Sequence, residues 1–423
     1  MDFTPTEEQS AAQQLAARIF ADLATHDRLT EAGTASDAEL WKALCAAGLP
    51  AAVEEIGLLG LALVLEEQGR TTAQVPLAAT CAYGVLAVAR HGTEEQRTRL
   101  LPALRDGTAV ATGAFPARGA VTAATGVAKR ATDVASAASV ASAASAASSG
   151  QAAVDGTGWL TGVVPVVPWL RDATHVLVPD AERALWLVHV ADARVEPVET
   201  TAPWAAGRLT LDGTRAERLG GTRTEWLDGK RAERLGGKRA EHPEGGAQAE
   251  RLDGTRRDRP ADRPPTPYDD VLACARIAFA ALQAGVCAGA LARTVAHTTT
   301  REQFGRPLST NQAVLLRAAD AYMDTEAIRV TTYEAAWRHD EGLPYDEHAL
   351  TAAWWASEAG RRVVHTGQHL HGGIGADLDH PVHRHFLWGR QLDAHLGCGA
   401  ELLEELGALL TEPPTKEAQH DEA

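Results

Sequence analysis

The last third of the chain holds the stretch that most narrows the choice of fold. YDDVLACARIAFAALQAGVCAGALARTVAHTTTREQF, residues 268–304, is a long apolar run without proline or strand alternation. Such a run predicts one long, largely buried helix. Three more follow: NQAVLLRAADAYMDTEAIRVTTYEAAWRHDEG, EHALTAAWWASEAGRRVVHTGQHLHGG and LDAHLGCGAELLEELGALL. Long helices joined by short connections predict an antiparallel four-helix bundle over residues 266–410, with a polar tail over 411–423.

Residues 1–108 also predict helices. QQLAARIFADLA and ELWKALCAAGL repeat their apolar residues at three and four, the latter after a Ser36/Asp37 cap. GLLGLALVLEEQGR and PLAATCAYGVLAVARHG are apolar enough to be buried, and Thr93 caps TEEQRTRLLPALRDG. From residue 109 the texture changes. VATGAF, GWLTGVVPVV, THVLVPD and ALWLVHV are short, β-branched and bounded by Gly, Pro and Asp, which predicts strands. A middle β-domain over 109–265 therefore separates two helical domains. It carries two unusual segments. Residues 134–149 are a Ser/Ala tract, expected to be a loop. Residues 211–242 repeat every eight, with Leu211, Leu219, Leu227 and Leu235 in step with Gly213, Gly221, Gly229 and Gly237. One Leu per octad is too little for a core, so a polar surface loop is expected there.

Composition excludes some functions. With 56 acidic against 40 basic residues the formal net charge is −16, which disfavours nucleic acid and anionic lipid as partners. No signal-peptide pattern opens the chain, and no run of about 18 apolar residues predicts a membrane span. The five cysteines form no CxxC pair, as expected of a cytoplasmic protein with free thiols.

TREQFGRPLSTNQ, residues 300–312, joins the first two bundle helices. Arg301 offers a planar fork for phosphate, Gln312 an amide, and Phe304 a flat apolar face. The trio suits the diphosphate and adenosine end of a dinucleotide. QHLHGGIG, residues 368–375, adds Gly372 and Gly373 at a helix end, where a ligand can approach the backbone closely. About 60 residues separate the two motifs.

In this order and spacing, the motifs resemble those of the acyl-CoA dehydrogenase family. MDFTPTEEQ, LALVLEEQGR, HGTEEQRTRLLPALRDGTAVATGAF and QHLHGGIGADLDHPVHRHFLWGRQLDAHLG share the likeness, which fails over about 116–156 and 213–265. The resemblance implies a mainly α fold: an N-terminal helical domain, a middle β-barrel-like domain and a C-terminal four-helix bundle. It implies FAD as cofactor, acyl-CoA as substrate, an electron-transfer acceptor, and oxidation of the Cα–Cβ bond with a carboxylate taking the α-proton. Carried over by position, Arg301, Phe304, Gln312, Gly372 and Gly373 hold the diphosphate and adenosine end of an FAD shared with a neighbouring subunit. His369 stands where the family often has Gln.

The family's two base positions are Leu396 and Ala275 here, and neither can accept a proton. Asp393 and Glu401 are the nearest carboxylates, with solvated or capping roles more expected than catalytic ones. PARGAVTAATG replaces the family's acid- and Gly-Ser-rich flavin segment. The pattern resembles the base-lacking subunit of α2β2 members, often acting on bulky CoA thioesters such as sterol side chains. That implies a homologous, Glu-bearing partner in a heterotetramer. A homotetrameric enzyme with altered chemistry and a non-catalytic scaffold are the alternatives. His369, His371, His380, His383, His385 and His395 crowd one region, but their spacing and the lack of companion ligands point to surface and interface roles rather than a metal.

Overall fold

The computed structural model describes residues 3–124, 156–220, 266–395 and 397–411. Its first part is helical: α1 (Glu7–Leu23), α2 (His26–Ala32), α3 (Ala38–Ala46), α4 (Leu49–Thr71), α5 (Leu77–Ala79), α6 (Ala87–His91) and α7 (Glu94–Arg105). Thr6 and Thr93 each close a capping box, with Gln9 and Gln96 as the reciprocal partners. Helix α4 kinks at Gly57, whose φ of 71° only glycine adopts readily. The restart is capped from afar: Leu58 N and Leu59 N donate to the two carboxylate oxygens of Asp340 at 2.8 and 2.9 Å. A π-helical turn over Thr80–Leu86 links α5 to α6.

Seven strands form the middle layer: β1 (Ala111–Gly113), β2 (Val121–Ala124), β3 (Thr157–Val167), β4 (His175–Pro179), β5 (Leu185–His189), β6 (Arg194–Pro197) and β7 (Gly207–Arg218). They pair in the order β1-β4-β5-β7-β3-β2, with β6 also on β7. Only β1 and β4 run parallel. Val176, Val178, Val188, Leu160 and Leu209 fill one face of this sheet without exposure. The first octad corrects the expected loop. Leu211 lies in β7, opposite Gly162 of β3, and is buried, as is Leu219 just after the strand. Ladder pairing gives this unit the partner that its composition lacks. Residues 221–242 and 134–149 lie outside the described residues.

The bundle consists of α8 (Pro267–Thr300), α9 (Gln312–Asp340), α10 (Asp346–His371), α11 (Pro381–Asp393) and α12 (Gly399–Thr411). Two expectations need correction. Helix α8 stops at Thr300, four residues before Phe304. The fourth predicted helix is split, because Gly397 takes a φ of 115° between α11 and α12. Helix α8 is the axis of the molecule, packed against α4, α9, α10 and α11. Two glycines let α4 and α8 touch. A Cβ on Gly69 would stand 2.2 Å from Leu282 O, and one on Gly285 2.0 Å from Glu66 O. Contrary to the sequence expectation, α8 is long and apolar enough to cross a membrane, but 94% of its apolar window is buried inside the protein, as in a core helix.

Candidate functional site at the open end of the bundle

Arg301 caps α8 in extended conformation, and its N–H donates to His297 O at 2.8 Å. The chain then reverses in a small hairpin, β8 (Glu302–Gln303) against β9 (Arg306–Pro307). Phe304 and Gly305 form its turn, with φ of 54° and 76°. Two positive values in sequence define a type I′ turn. Glycine takes that conformation at no cost, but phenylalanine is strained in it. The Phe304 side chain is 100% exposed. Asn311 caps α9 by accepting from Ala313 N at 2.9 Å, which sets Gln312, exposed, in the first turn.

The glycine loop stands at the same end. Gly372 ends α10 with a φ of 67°, and open space lies where a Cβ would project from either Gly372 or Gly373. Stacked imidazoles join the two loops. His297 and His371 lie 4.5 Å apart between centroids, and His380 meets His371 edge-on at 5.1 Å. His297 is one turn before Arg301, and His371 directly precedes Gly372. Burial, then His371, His380 and Arg301, push the His297 imidazole below its ordinary value. His369 is exposed beside them. Arg301, Arg306 and Arg317 are exposed and have no carboxylate partner among the described residues. The sequence-predicted residues thus gather at one open end, where exposed arginines stand beside the glycine loop. Exposed Val295, Leu315, Leu316, Ile374 and Leu378 surround them.

The inherited base positions lie in a different setting. Ala275 is fully buried on α8, and Leu396 lies outside the described residues. One turn beyond Ala275, Phe279 meets the ring of His395, neighbour of Leu396, at 4.4 Å. Around this pair runs a connected set of aromatic rings. Trp169 stacks on Trp204 at 4.3 Å, Trp204 meets Trp388 at 5.6 Å, and Tyr83 stacks on Phe115 at 5.1 Å. Gly113 makes room for Tyr83, since a Cβ there would stand 2.6 Å from its ring. His395 is half-buried, with Nε2 sealed from solvent and its ring against Phe279 and Trp204, and burial pushes it down to about 3, so it packs inward rather than at the surface or an interface. His371 and His385 are buried too, with Nδ1 of each against a backbone carbonyl.

Neither nearby carboxylate is a free base. Asp393 accepts from Ser357 Oγ at 2.7 Å and from Arg390 at 2.9 Å, while Glu401 accepts from Cys398 N at 3.2 Å. Arg276, next to Ala275, is held by Glu405 through two hydrogen bonds of 2.8 and 2.6 Å.

Two buried polar knots were invisible in the sequence. Glu66 of α4 accepts from Arg70, Arg329 and Tyr333. Burial would raise its carboxyl, but Arg329 and Tyr333 hold it low. Asp270 binds Arg90, His91 and Tyr345. Burial opposes its charge as well, but His91 and Arg90 keep it well below the usual carboxylate range. Asp270 also lies near Cys274 and His339, the one group of metal-ligand type among the described residues. Its existing partners give it a structural role. These partners lie far apart in the chain, Glu66 and Arg329 by 263 positions, so no local pattern marks them.

Comparison with known proteins gives a consistent result. Residues 6–108 match the acyl-CoA dehydrogenase N-terminal domain, and residues 269–403 match the C-terminal domain. Acyl-CoA dehydrogenase FadE27 of Mycobacterium tuberculosis is 44% identical over 142 residues, 32% of this chain and 38% of that protein. FadE28 of the same organism is 34% identical over 124 residues, 29% of this chain and 37% of that one. The aligned segments thus span well under half of these curated relatives. Solved structures align over far more. The Tcur3481-Tcur3483 steroid ACAD is 36% identical with a TM-score of 0.74, covering 96% of this chain and 98% of that one. The ChsE4-ChsE5 complex from Mycobacterium tuberculosis is 28% identical with a TM-score of 0.74, covering 98% and 100%. The mainly α, three-part architecture recurs in butyryl-CoA dehydrogenase of Megasphaera elsdenii, at 21% identity and a TM-score of 0.72 over 97% of this chain and all of that one. The chain belongs to the acyl-CoA dehydrogenase family.

Proposed function

We propose that the chain is the base-lacking subunit of a heteromeric, FAD-dependent acyl-CoA dehydrogenase. Arg301, Gln312 and the Gly372–Gly373 loop would hold the diphosphate end of an FAD whose ring and catalytic Glu belong to a homologous partner. The observation that carries this reading is the contrast between two places. The bundle end is open, with guanidinium groups that have no carboxylate partner among the described residues and glycines that leave backbone accessible, which fits a nucleotide diphosphate. The interior at the base positions has Ala275 and closely packed rings, which does not fit a flavin ring and a thioester.

When bound, FAD supplies the hydride acceptor. This chain's part is to fix the cofactor's anionic end. Arg301 contributes a fixed positive charge, Gln312 an amide, and Phe304 an apolar plane for the adenosine end of the FAD shared with the neighbouring subunit. The names of the steroid ACAD and the ChsE4-ChsE5 complex support a two-chain assembly acting on bulky CoA thioesters. An electron-transfer acceptor would reoxidise the flavin. The test is co-expression with a Glu-bearing homologue, followed by a flavin absorbance spectrum of the purified complex. A yellow complex that bleaches with acyl-CoA, beside a nearly colourless single chain, supports the reading. A yellow single chain that bleaches with acyl-CoA overturns it.

A further inference from the structure

A second concentration of basic side chains lies where the N-terminal helices meet the bundle. His26 of α2, Thr72 after α4, Arg293 of α8, and Arg384 and His385 of α11 line a cavity of about 20 Å³ with no carboxylate in its wall. Elsewhere arginines that reach inward meet acids: Arg276 with Glu405, Arg329 with Glu66, Arg90 with Asp270. Here they do not. Arg384 donates only to neutral oxygens, Thr72 Oγ1 and Leu29 O at 3.4 Å and Gln74 Oε1 at 3.0 Å. Arg293, at the exposed rim, has no ion pair among the described residues.

The histidines point the same way. His26 Nδ1 is sealed from solvent and has no partner among the described residues. His385 is 1% exposed, and both its ring nitrogens face carbonyls, Nδ1 at 3.1 Å from Pro381 O and Nε2 at 3.0 Å from Arg70 O. A neutral imidazole has one N–H and satisfies one of these; only the imidazolium satisfies both. Yet burial, helped by Arg293 and Arg384, pushes His385 down to about 4, and burial alone lowers Arg384 to about 10. Positive charge thus meets a buried imidazole and a half-buried guanidinium with no acid to offset it, a costly arrangement.

We infer that this cavity binds one small inorganic anion of halide size, which ties α2 and α4 to α8 and α11. The volume admits a single occupant of about water size. A water would leave the half-buried Arg384 without a counter-charge, whereas an anion supplies one, reaches Arg293 at the rim and permits the doubly donating form of His385. The inference is independent of the proposed activity.

The test is thermal unfolding of the full chain, alone and in its complex, at constant ionic strength, with gluconate replaced stepwise by chloride or bromide. The expected result is a saturable rise in Tm of about 2–4 °C with either halide. Arg384→Gln should abolish the rise. Arg293→Gln, at the cavity wall and less disruptive, should weaken it if Arg384→Gln fails to fold. Crystals soaked in bromide should show an anomalous peak beside the Arg384 guanidinium. Equal Tm in gluconate and halide, a full halide response in Arg293→Gln, a response to phosphate but not to halide, or no bromide in the cavity would each overturn it.

Discussion

Two ends of the same bundle follow opposite rules. At the 301–312 junction, polar and apolar side chains stand in solvent. Phe304 is fully exposed in a strained turn, and three arginines lack acidic partners. Around Ala275 and Phe279, seven rings from six distant parts of the chain fill the interior, and several polar atoms there, including Nε1 of Trp169, Trp204 and Trp388, have no partner among the described residues. A single folded chain gains no stability from the first arrangement, which is what the proposed two-chain assembly requires. The second is paid for in unpaired indoles and gains close packing, as expected of a site relieved of catalysis.

The comparison can be broken by substitution. Trp204 is 1% exposed and touches Trp169, Trp388 and His395. Trp204→Ala should therefore cost about 3–5 kcal/mol of stability, read from urea unfolding. A cost under about 1 kcal/mol would mean that the rings leave usable space.

Acid should weaken the interior next. His385 is pushed down to about 4 from an ordinary 6.5. In halide-free buffer the unfolded chain then takes up a proton that the folded protein refuses, so stability present above about pH 6.5 is lost as pH falls toward 4. The loss should approach about 3 kcal/mol for this one group. His395, also pushed down, adds to the slope, and His395→Phe should flatten it. An unchanged slope in that variant would remove His395 from the buried set.

Substitution at the open end should leave folding intact and strike the cofactor. Arg301→Ala in the assembled complex should lower FAD affinity roughly 10–100-fold, from loss of a charge-assisted hydrogen bond. The readout is flavin retention on dilution, and unchanged retention would separate Arg301 from the cofactor. Phe304→Ala should change the stability of the single chain by less than about 0.5 kcal/mol, while weakening association with the partner in sedimentation experiments.

Much of this contrast was legible in the sequence. The long helices follow from period-3.6 apolar runs, and the junction follows from an Arg, an aromatic-Gly pair and a Gln at a helix boundary. The stop of α8 was missed because residues 301–304 continue the helical pattern while the Phe304–Gly305 turn reverses the chain. The split of the last helix turns on Gly397, whose positive φ a sequence pattern does not reveal. The aromatic interior was invisible because its members, from Tyr83 to His395, meet only in three dimensions. The same holds for the Asp340 cap on α4, which spans 282 positions.

The most direct test of the central claim is the flavin content of the purified chain with and without its Glu-bearing homologue. The account predicts little FAD on the chain alone, and a yellow two-chain complex that loses its flavin when Arg301 and Gln312 of this chain are replaced together by alanine. Full FAD occupancy in the chain alone, or a complex whose flavin is indifferent to that double substitution, would contradict it.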